Sequence, residues 1–256
     1  MFSKLTPIVK LLIITNVIVF SFEFLFKGFV IADIPFKIWW MKNFALMPLN
    51  GLNVGNGIVF NFEIWQLITY QFLHGDFWHL FFNMFMLWMF GRELEEFWGS
   101  AKFVSFYLLC GVGAGLLHML VSISLGQIAP AVGASGSLYG LFFGFIMFNP
   151  DRRLIIFPIF IPLKAKWIGI GLVIISVIGG LNSSDGIAHF AHLGGGIMGV
   201  LLVKFGETIP IFNVARRLIK FGIPSNEYPQ NNKWAPQKRL FNTNLWWSKP
   251  PWNNCT

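Results

Sequence analysis

Charge is what this sequence has least of. Of its 256 residues only 12% are Asp, Glu, Lys or Arg, about half the share in an ordinary soluble domain. Acidic side chains are the scarcest, 11 in all, while 55% of residues are hydrophobic. A soluble chain of this length could not hide that much apolar surface, so lipid must solvate most of it. Cysteine is nearly absent: Cys110 lies in an apolar segment and Cys255 at the C-terminus. That excludes a disulfide framework and offers no metal-ligand spacing. There is no HExxH, the zinc-protease helix signature, and no internal repeat of the kind many transporters show. The first apolar run lacks a small-x-small cleavage site and reads as a span, not a cleaved leader. What the chain has in abundance is aromatic residues, 30 Phe and 11 Trp, which suit lipid-facing and interfacial positions.

Six spans are predicted: Ile8 to Val30, Phe77 to Gly91, Phe103 to Ser124, Ala134 to Phe148, Leu163 to Leu181 and Ile187 to Val203. The fold class expected is all-α, a polytopic membrane bundle of six transmembrane helices. Residues 1–205 form that domain. Residues 206–256 form a polar, Trp-rich tail, within which Glu207 to Gly222 alternates apolar and basic residues as an interfacial helix would. The net charge of +8 comes from Lys and Arg in short loops and the tail, so it reads as an orientation signal and not as a nucleic-acid surface. With the N-terminus inside, 16 of the 19 Lys and Arg fall on the inner side, and only Lys27, Lys37 and Lys42 fall outside. Both termini are then cytoplasmic, and Ile31 to Glu63 is a large outer loop.

Polar groups inside spans are costly and ask for a reason. Span two carries His79 and Asn83, span four opens on Gly133-Ala134-Ser135-Gly136, and span six carries His189 and His192. His79 lies 13 residues before Arg92, Ser135 lies 13 before Phe148, and His192 lies 12 before Lys204. At about 1.5 Å per residue all three sit roughly 18–20 Å above the inner boundary. Three polar groups at one depth imply one shared site in the outer half of the bilayer. Span four is also short, roughly 20 Å from Ser135 onward, so the uncharged Leu125 to Ala134 is expected to enter the membrane as irregular backbone lining a cavity or buried in protein. Ser135 then stands at a helix N-terminus, where free N–H groups and the dipole favour developing negative charge. Gly136, Gly140 and Gly144 on span four, and Ala191, Gly195 and Gly199 on span six, form small-xxx-small faces. Docking those faces would bring Ser135 and His192 together.

In order along the chain, His79-Leu80-Phe81-Phe82-Asn83, Gly133-Ala134-Ser135-Gly136, and Ala191-His192-Leu193-Gly194-Gly195 with Gly199 resemble the rhomboid family of intramembrane serine proteases. The turn Gly91-Arg92-Glu93-Leu94-Glu95-Glu96-Phe97-Trp98-Gly99-Ser100 is similar to that family's loop after helix two. The likeness covers about Ile8 to Phe205. It implies Ser135 as nucleophile, His192 as general base without an acidic third member, and an oxyanion hole from His79, Asn83 and the Ser135 backbone N–H. Tyr139 matches the position whose ring packs on the base. The glycines Gly133, Gly136, Gly195 and Gly199 are supporting positions. No cofactor or metal is implied. The expected partners are single-pass transmembrane substrates and the bilayer, with no nucleic acid, and the expected location is a bacterial inner membrane. One departure is visible: Trp65-Gln66 stands where relatives often have Trp-Arg.

Other readings stay open on the sequence. A membrane metalloenzyme would use His74, His79, His189 and His192, but no carboxylate lies at their depth. An inactive client-binding relative would be expected to have lost Ser135 or His192. His74 reads as structural or interfacial, His118 as satisfying a buried hydrogen bond, and His189 as a weaker candidate base. Glu23 faces either the site or the bundle interior, and Asp185 reads as a helix cap.

Overall fold

The computed structural model describes residues 5–206 apart from 32, 54–58, 126–128, 156–160 and 183–185. The tail helix expected at Glu207 to Gly222, and Asp185, lie outside the described residues. The chain folds as an all-α membrane bundle. Helix α1 (Pro7–Phe26) starts on a proline at its first turn, where the missing N–H has no partner to lose. Within the long connection that follows stands a short helix, α2 (Phe36–Phe44), and after it α3 (Gln66–Thr69). Asp76 caps α4 (Phe77–Met86) by accepting a hydrogen bond from the His79 N–H. Helix α4 runs through one wide π turn, Leu87–Gly91, into α5 (Arg92–Trp98). Then come α6 (Ser100–Leu125), α7 (Ser135–Phe148), α8 (Ala165–Asn182) and α9 (Gly186–Phe205). Helices α1 and α6 and residues Ala188–Phe205 are long and apolar enough to cross a membrane, and α7 and the Ala165–Leu181 stretch of α8 are shorter apolar helices. With the α4–α5 run these make six helical segments among the described residues.

Three boundaries differ from expectation. The second span does not stop at the charged cluster: α5 carries the helix to Trp98 and ends at Gly99, whose φ of 78° only glycine adopts freely. The first span ends at Phe26 and not at Val30. The fifth begins at Ala165 because residues before it form a β-hairpin, Arg153–Ile155 paired with Pro162–Lys164. Apolar composition alone cannot separate a strand leading into a helix from the helix itself.

Helix α7 is the central element. Its Leu138, Leu141, Phe142 and Phe145 are buried among Phe90, Phe103, Phe106, Tyr107 and Cys110. The predicted glycine faces do meet. A Cβ on Gly195 would collide with the Gly136 backbone, and one on Gly199 would lie 2.5 Å from the Gly140 carbonyl oxygen. On its other side α9 meets α6, where a Cβ on Gly194 would lie 2.8 Å from the Gly113 carbonyl oxygen. Such approaches let backbones pack directly where lipid offers no hydrophobic drive between helices.

The end of the bundle away from Ser135 is tied by charge. Buried Glu95 accepts the Ile8 and Val9 N–H groups, each at 2.9 Å, and the Ser100 hydroxyl at 2.5 Å. These are two of the N–H groups that the start of α1 would otherwise leave unpaired. Arg152 reaches Glu93 at 2.6 Å. Lys164 and Lys166 both meet Asp151, and hydrogen bonds from Lys166 and then Lys164 hold its carboxyl below the usual range.

Candidate active site

Ser135 is the first residue of α7, so its backbone N–H has no partner within the helix. The chain leading to it is held as irregular backbone by three contacts. Leu46 and Ala131 exchange hydrogen bonds at 3.0 and 2.9 Å, and the Gly133 N–H donates to the Tyr70 carbonyl at 2.9 Å. Gly133 has φ +120°, and a Cβ there would lie 2.7 Å from His79 Nε2. A side chain at this position would therefore be strained and would strike the histidine.

From α9, His192 Nε2 approaches Ser135 Oγ to 2.8 Å, hydrogen-bond distance. The imidazole lies flat on the Tyr139 ring, one turn along α7 from Ser135, with centroids 4.5 Å apart and planes 10° from parallel. Tyr139 thus fixes the ring plane that aims Nε2 at Ser135. The four ion pairs among the described residues all lie at the opposite end of the bundle, and none includes His192.

Helix α4 brings the other polar groups. The Gly75 N–H lies 3.4 Å from His79 Nδ1. An accepting Nδ1 puts the proton of a neutral ring on Nε2, the nitrogen beside Gly133. Asn83, one turn on, is buried. Its Nδ2 has no partner among the described residues and would lie 3.8 Å from a Gly133 Cβ. Two donors from α4 therefore point at the backbone immediately before Ser135, whose own N–H is the third. An arrangement of a hydroxyl, an imidazole accepting from it and convergent N–H donors can carry out acyl transfer.

The other histidines fall elsewhere. His189 stands 6.3 Å from His192, ring to ring, and packs on α8, where a Gly179 Cβ would lie 2.7 Å from its Nε2. His118 meets the Ala129 carbonyl at 3.0 Å. His74 is buried and touches His79 edge to face at 5.0 Å. Among the described residues no three His, Cys, Asp or Glu converge as a metal site would need. Glu23 is half-buried on α1.

Several polar residues that support the site carried no usable sequence signal. Gln66, at the position of the departure, accepts from the Met47 and Glu63 N–H groups and donates to the Lys42 carbonyl. It pins the long connection to α3 in place of a cation. Ser137 donates to Gln71 Oε1 at 2.9 Å, and Tyr70 donates to the Gly111 carbonyl at 2.6 Å. The first bond ties the first turn of α7 to the segment before α4, and the second ties that segment to α6.

Comparison with known proteins identifies the family. Residues 61–206 match the rhomboid domain. The chain is 34% identical over 140 residues to "Rhomboid protein 1, mitochondrial" of Saccharomyces cerevisiae, covering 53% of this chain and 40% of that protein. It is 37% identical over 160 residues to "Rhomboid-like protein 11, chloroplastic" of Arabidopsis thaliana, covering 59% and 55%. It is 28% identical over 146 residues to the human "Presenilin-associated rhomboid-like protein, mitochondrial", covering 56% and 38%. The matched region thus spans about half or less of each relative's length. The rhomboid match covers more than half of the chain and includes α4, α7 and α9, and the chain belongs to the rhomboid family of integral membrane proteins.

Proposed function

We propose that the protein is an intramembrane serine endopeptidase that cleaves single-pass transmembrane proteins near the outer face of the membrane. The observation that carries this reading is the 2.8 Å contact between His192 Nε2 and Ser135 Oγ at the start of α7. Family membership supports protease chemistry on membrane proteins within the bilayer. In the proposed reaction His192 takes the proton from Ser135 as Oγ attacks the scissile carbonyl. The carbonyl oxygen gains negative charge and accepts hydrogen bonds from the Ser135 N–H, His79 Nε2 and Asn83 Nδ2. His192 then gives its proton to the leaving amine, and water hydrolyses the acyl-enzyme. Tyr139 holds the base in plane, and Gly133, Gly136, Gly195 and Gly199 allow the close approaches that set the distance.

Residues 1–205 form the catalytic domain in this reading, with both termini in the cytoplasm and 206–256 as an accessory tail. The relatives named above are mitochondrial and chloroplastic, so they lend no support to the bacterial membrane expected from sequence, and the proposal retains the orientation alone. The test is cleavage of a transmembrane substrate by the purified protein in detergent or vesicles. Ser135→Ala and His192→Ala should each abolish cleavage with little change in thermal stability, and a serine-directed phosphonate should block the wild type. A Ser135→Ala preparation cutting at the wild-type rate would end the protease reading and favour a client-binding role. Loss of activity on chelation would favour a metal reading instead.

A further inference from the structure

A groove between α7, α8 and α9 plays no part in the proposed reaction. It is lined by apolar residues alone, among them Phe143, Val173, Leu193, Gly196, Ile197 and Leu201, and its volume is about 210 Å³. Gly196 forms its floor. With no side chain there, the Phe143 ring lies directly on the α9 backbone, and an added Cβ would meet that ring at 3.0 Å. From Leu193 to Leu201 the groove follows α9 away from Ser135 for roughly 12 Å. Leu201 stands about 5 Å from Lys204, which lies in the last turn of the helix. The groove therefore lies within the hydrocarbon of the leaflet farther from Ser135, half of a core about 30 Å thick.

Its position, width and charge each select an occupant. Ile197 is 56% exposed and Leu201 44% exposed, so the groove opens sideways, in the middle of a helix long and apolar enough to cross the membrane. Water finds no polar group to hold it, and apolar cavities stay dry and take hydrocarbon. Spread over roughly 12 Å of α9, the volume of about 210 Å³ leaves a cross-section of roughly 18 Å². That admits one extended hydrocarbon chain, while a helix with its side chains is about 10–12 Å across and cannot enter. Ile197, Leu201 and Lys204 follow one another at spacings of four and three, so the exposed apolar stripe runs down one face of α9 to a cation. Lys204 belongs to none of the ion pairs among the described residues, and its Nζ lies 5.2 Å over the Phe205 ring. Lys166, near the start of α8, is by contrast held by Asp151 at 2.8 Å. An apolar channel one chain wide that ends at an unpaired cation at headgroup level matches the shape and charge of an anionic phospholipid.

We propose that this groove is a lipid site, taking one acyl chain of an anionic phospholipid whose phosphate rests at Lys204. The site reaches the dyad through rings. Phe143, against which the chain lies, stacks on Tyr139 with centroids 6.4 Å apart and planes at 27°. Tyr139 stacks in turn on His192, at 4.5 Å and 10°. A chain in the groove fills the space beside Phe143 and holds that ring against Tyr139, so that the plane of His192 is supported from the lipid side. The effect on turnover rests on the protease reading above; occupancy of the groove does not.

The test uses the full chain in phosphatidylcholine vesicles containing a trace of phosphatidylglycerol or phosphatidylcholine that carries the same diazirine midway along one acyl chain. After illumination, adducts on Phe143 and on residues 193–201 are counted relative to adducts on the exposed Leu11 and Ile18 of α1. The phosphatidylglycerol probe should mark the groove about fivefold more than the phosphatidylcholine probe, the preference that one lysine near the surface gives. Lys204→Gln should remove that excess, and Val173→Trp, which fills the groove, should remove labelling by both probes. Equal labelling of the unaltered protein by the two probes would overturn the proposal without recourse to any variant. So would an excess that survives Lys204→Gln. Labelling that falls as the protein-to-lipid ratio rises would put a second copy on this face and overturn it as well. Labelling needs no cleavage, so its failure is distinct from failure of the protease reading. In the cleavage assay, phosphatidylglycerol should raise kcat of the unaltered protein, and Lys204→Gln should lose that rise; a kcat indifferent to phosphatidylglycerol would overturn the link from the groove to His192.

Discussion

Gly199→Ala adds one methyl group two turns of α9 below His192, and the structure sets its cost. The new Cβ would lie 2.5 Å from the Gly140 carbonyl oxygen, 2.8 Å from its Cα and 3.0 Å from its carbonyl carbon. Ordinary contact begins at 3.4 Å, so α7 and α9 must separate by about 0.9 Å. All three atoms belong to backbone, so no side chain can rotate out of the way. Overpacking of this kind costs about 1–3 kcal/mol of stability. The larger effect should fall on turnover. Ser135 and His192 meet at 2.8 Å across the same interface, and a misplacement of about 1 Å between reacting groups costs on the order of 100-fold. The assay is cleavage of a transmembrane substrate in vesicles, with kcat and KM separated, alongside thermal unfolding. Turnover should fall about 10- to 100-fold while KM moves little. Gly171→Ala is the control, since a Cβ there meets nothing within 4 Å, and alanine in a helix interior is favoured over glycine by about 1 kcal/mol. Wild-type turnover in Gly199→Ala would refute the claim that direct backbone packing of α7 on α9 sets the Ser135–His192 distance.

Three further outcomes are expected. Asn83→Ala should lower turnover about 10²–10³-fold with little change in substrate affinity or melting temperature, because its donor strengthens only as charge develops on the carbonyl; a large stability loss with normal specific activity would make Asn83 a packing residue instead. Glu95→Ala should lower the melting temperature without touching the dyad, since it removes the acceptor of the Ile8 N–H, Val9 N–H and Ser100 hydroxyl bonds, and bonds to a charged group contribute about 1.5–3 kcal/mol each; an unchanged melting temperature in detergent would show that α1 is held by packing alone. Single cysteines between Leu49 and Asn61 should react with an impermeant thiol reagent from outside intact cells and cysteines near Trp246 should not, and the reverse labelling would invert the proposed orientation.

The parts of the fold legible in the sequence are those that lipid constrains most strictly. A chain with 12% charge must place its few polar groups where something satisfies them, and a constant rise per residue turns sequence spacing into depth. That is why the approach of His192 to Ser135 could be anticipated from residues 57 apart in sequence. The glycine faces were legible for a related reason: a residue without a side chain every fourth position on two helices is a statement about how closely their backbones can approach. The irregular chain before Ser135 followed from the shortness of α7 and its Gly133.

What stayed illegible depends on partners that no local pattern identifies. Gln66 looked like the loss of a cation, yet its amide makes three hydrogen bonds to the backbone of the long connection; only the folded chain places those groups around it. Gln71 and Ser137 are 66 residues apart and pair in the core, and each alone reads as an ordinary polar residue at a helix end. Glu95 is one of three glutamates in a charged run, Glu93, Glu95 and Glu96, and the π turn before it decides their directions. Glu93 meets Arg152 and Glu96 meets Arg92 at the surface, while Glu95 turns inward to the start of α1. The π turn at Leu87–Gly91 rotates the whole following helix about its axis, and with it the face on which each glutamate falls. The polar residues that converge around Ser135 were therefore readable from what lipid forbids, while those that hold them in register emerge only when α1, α6 and α7 are brought together.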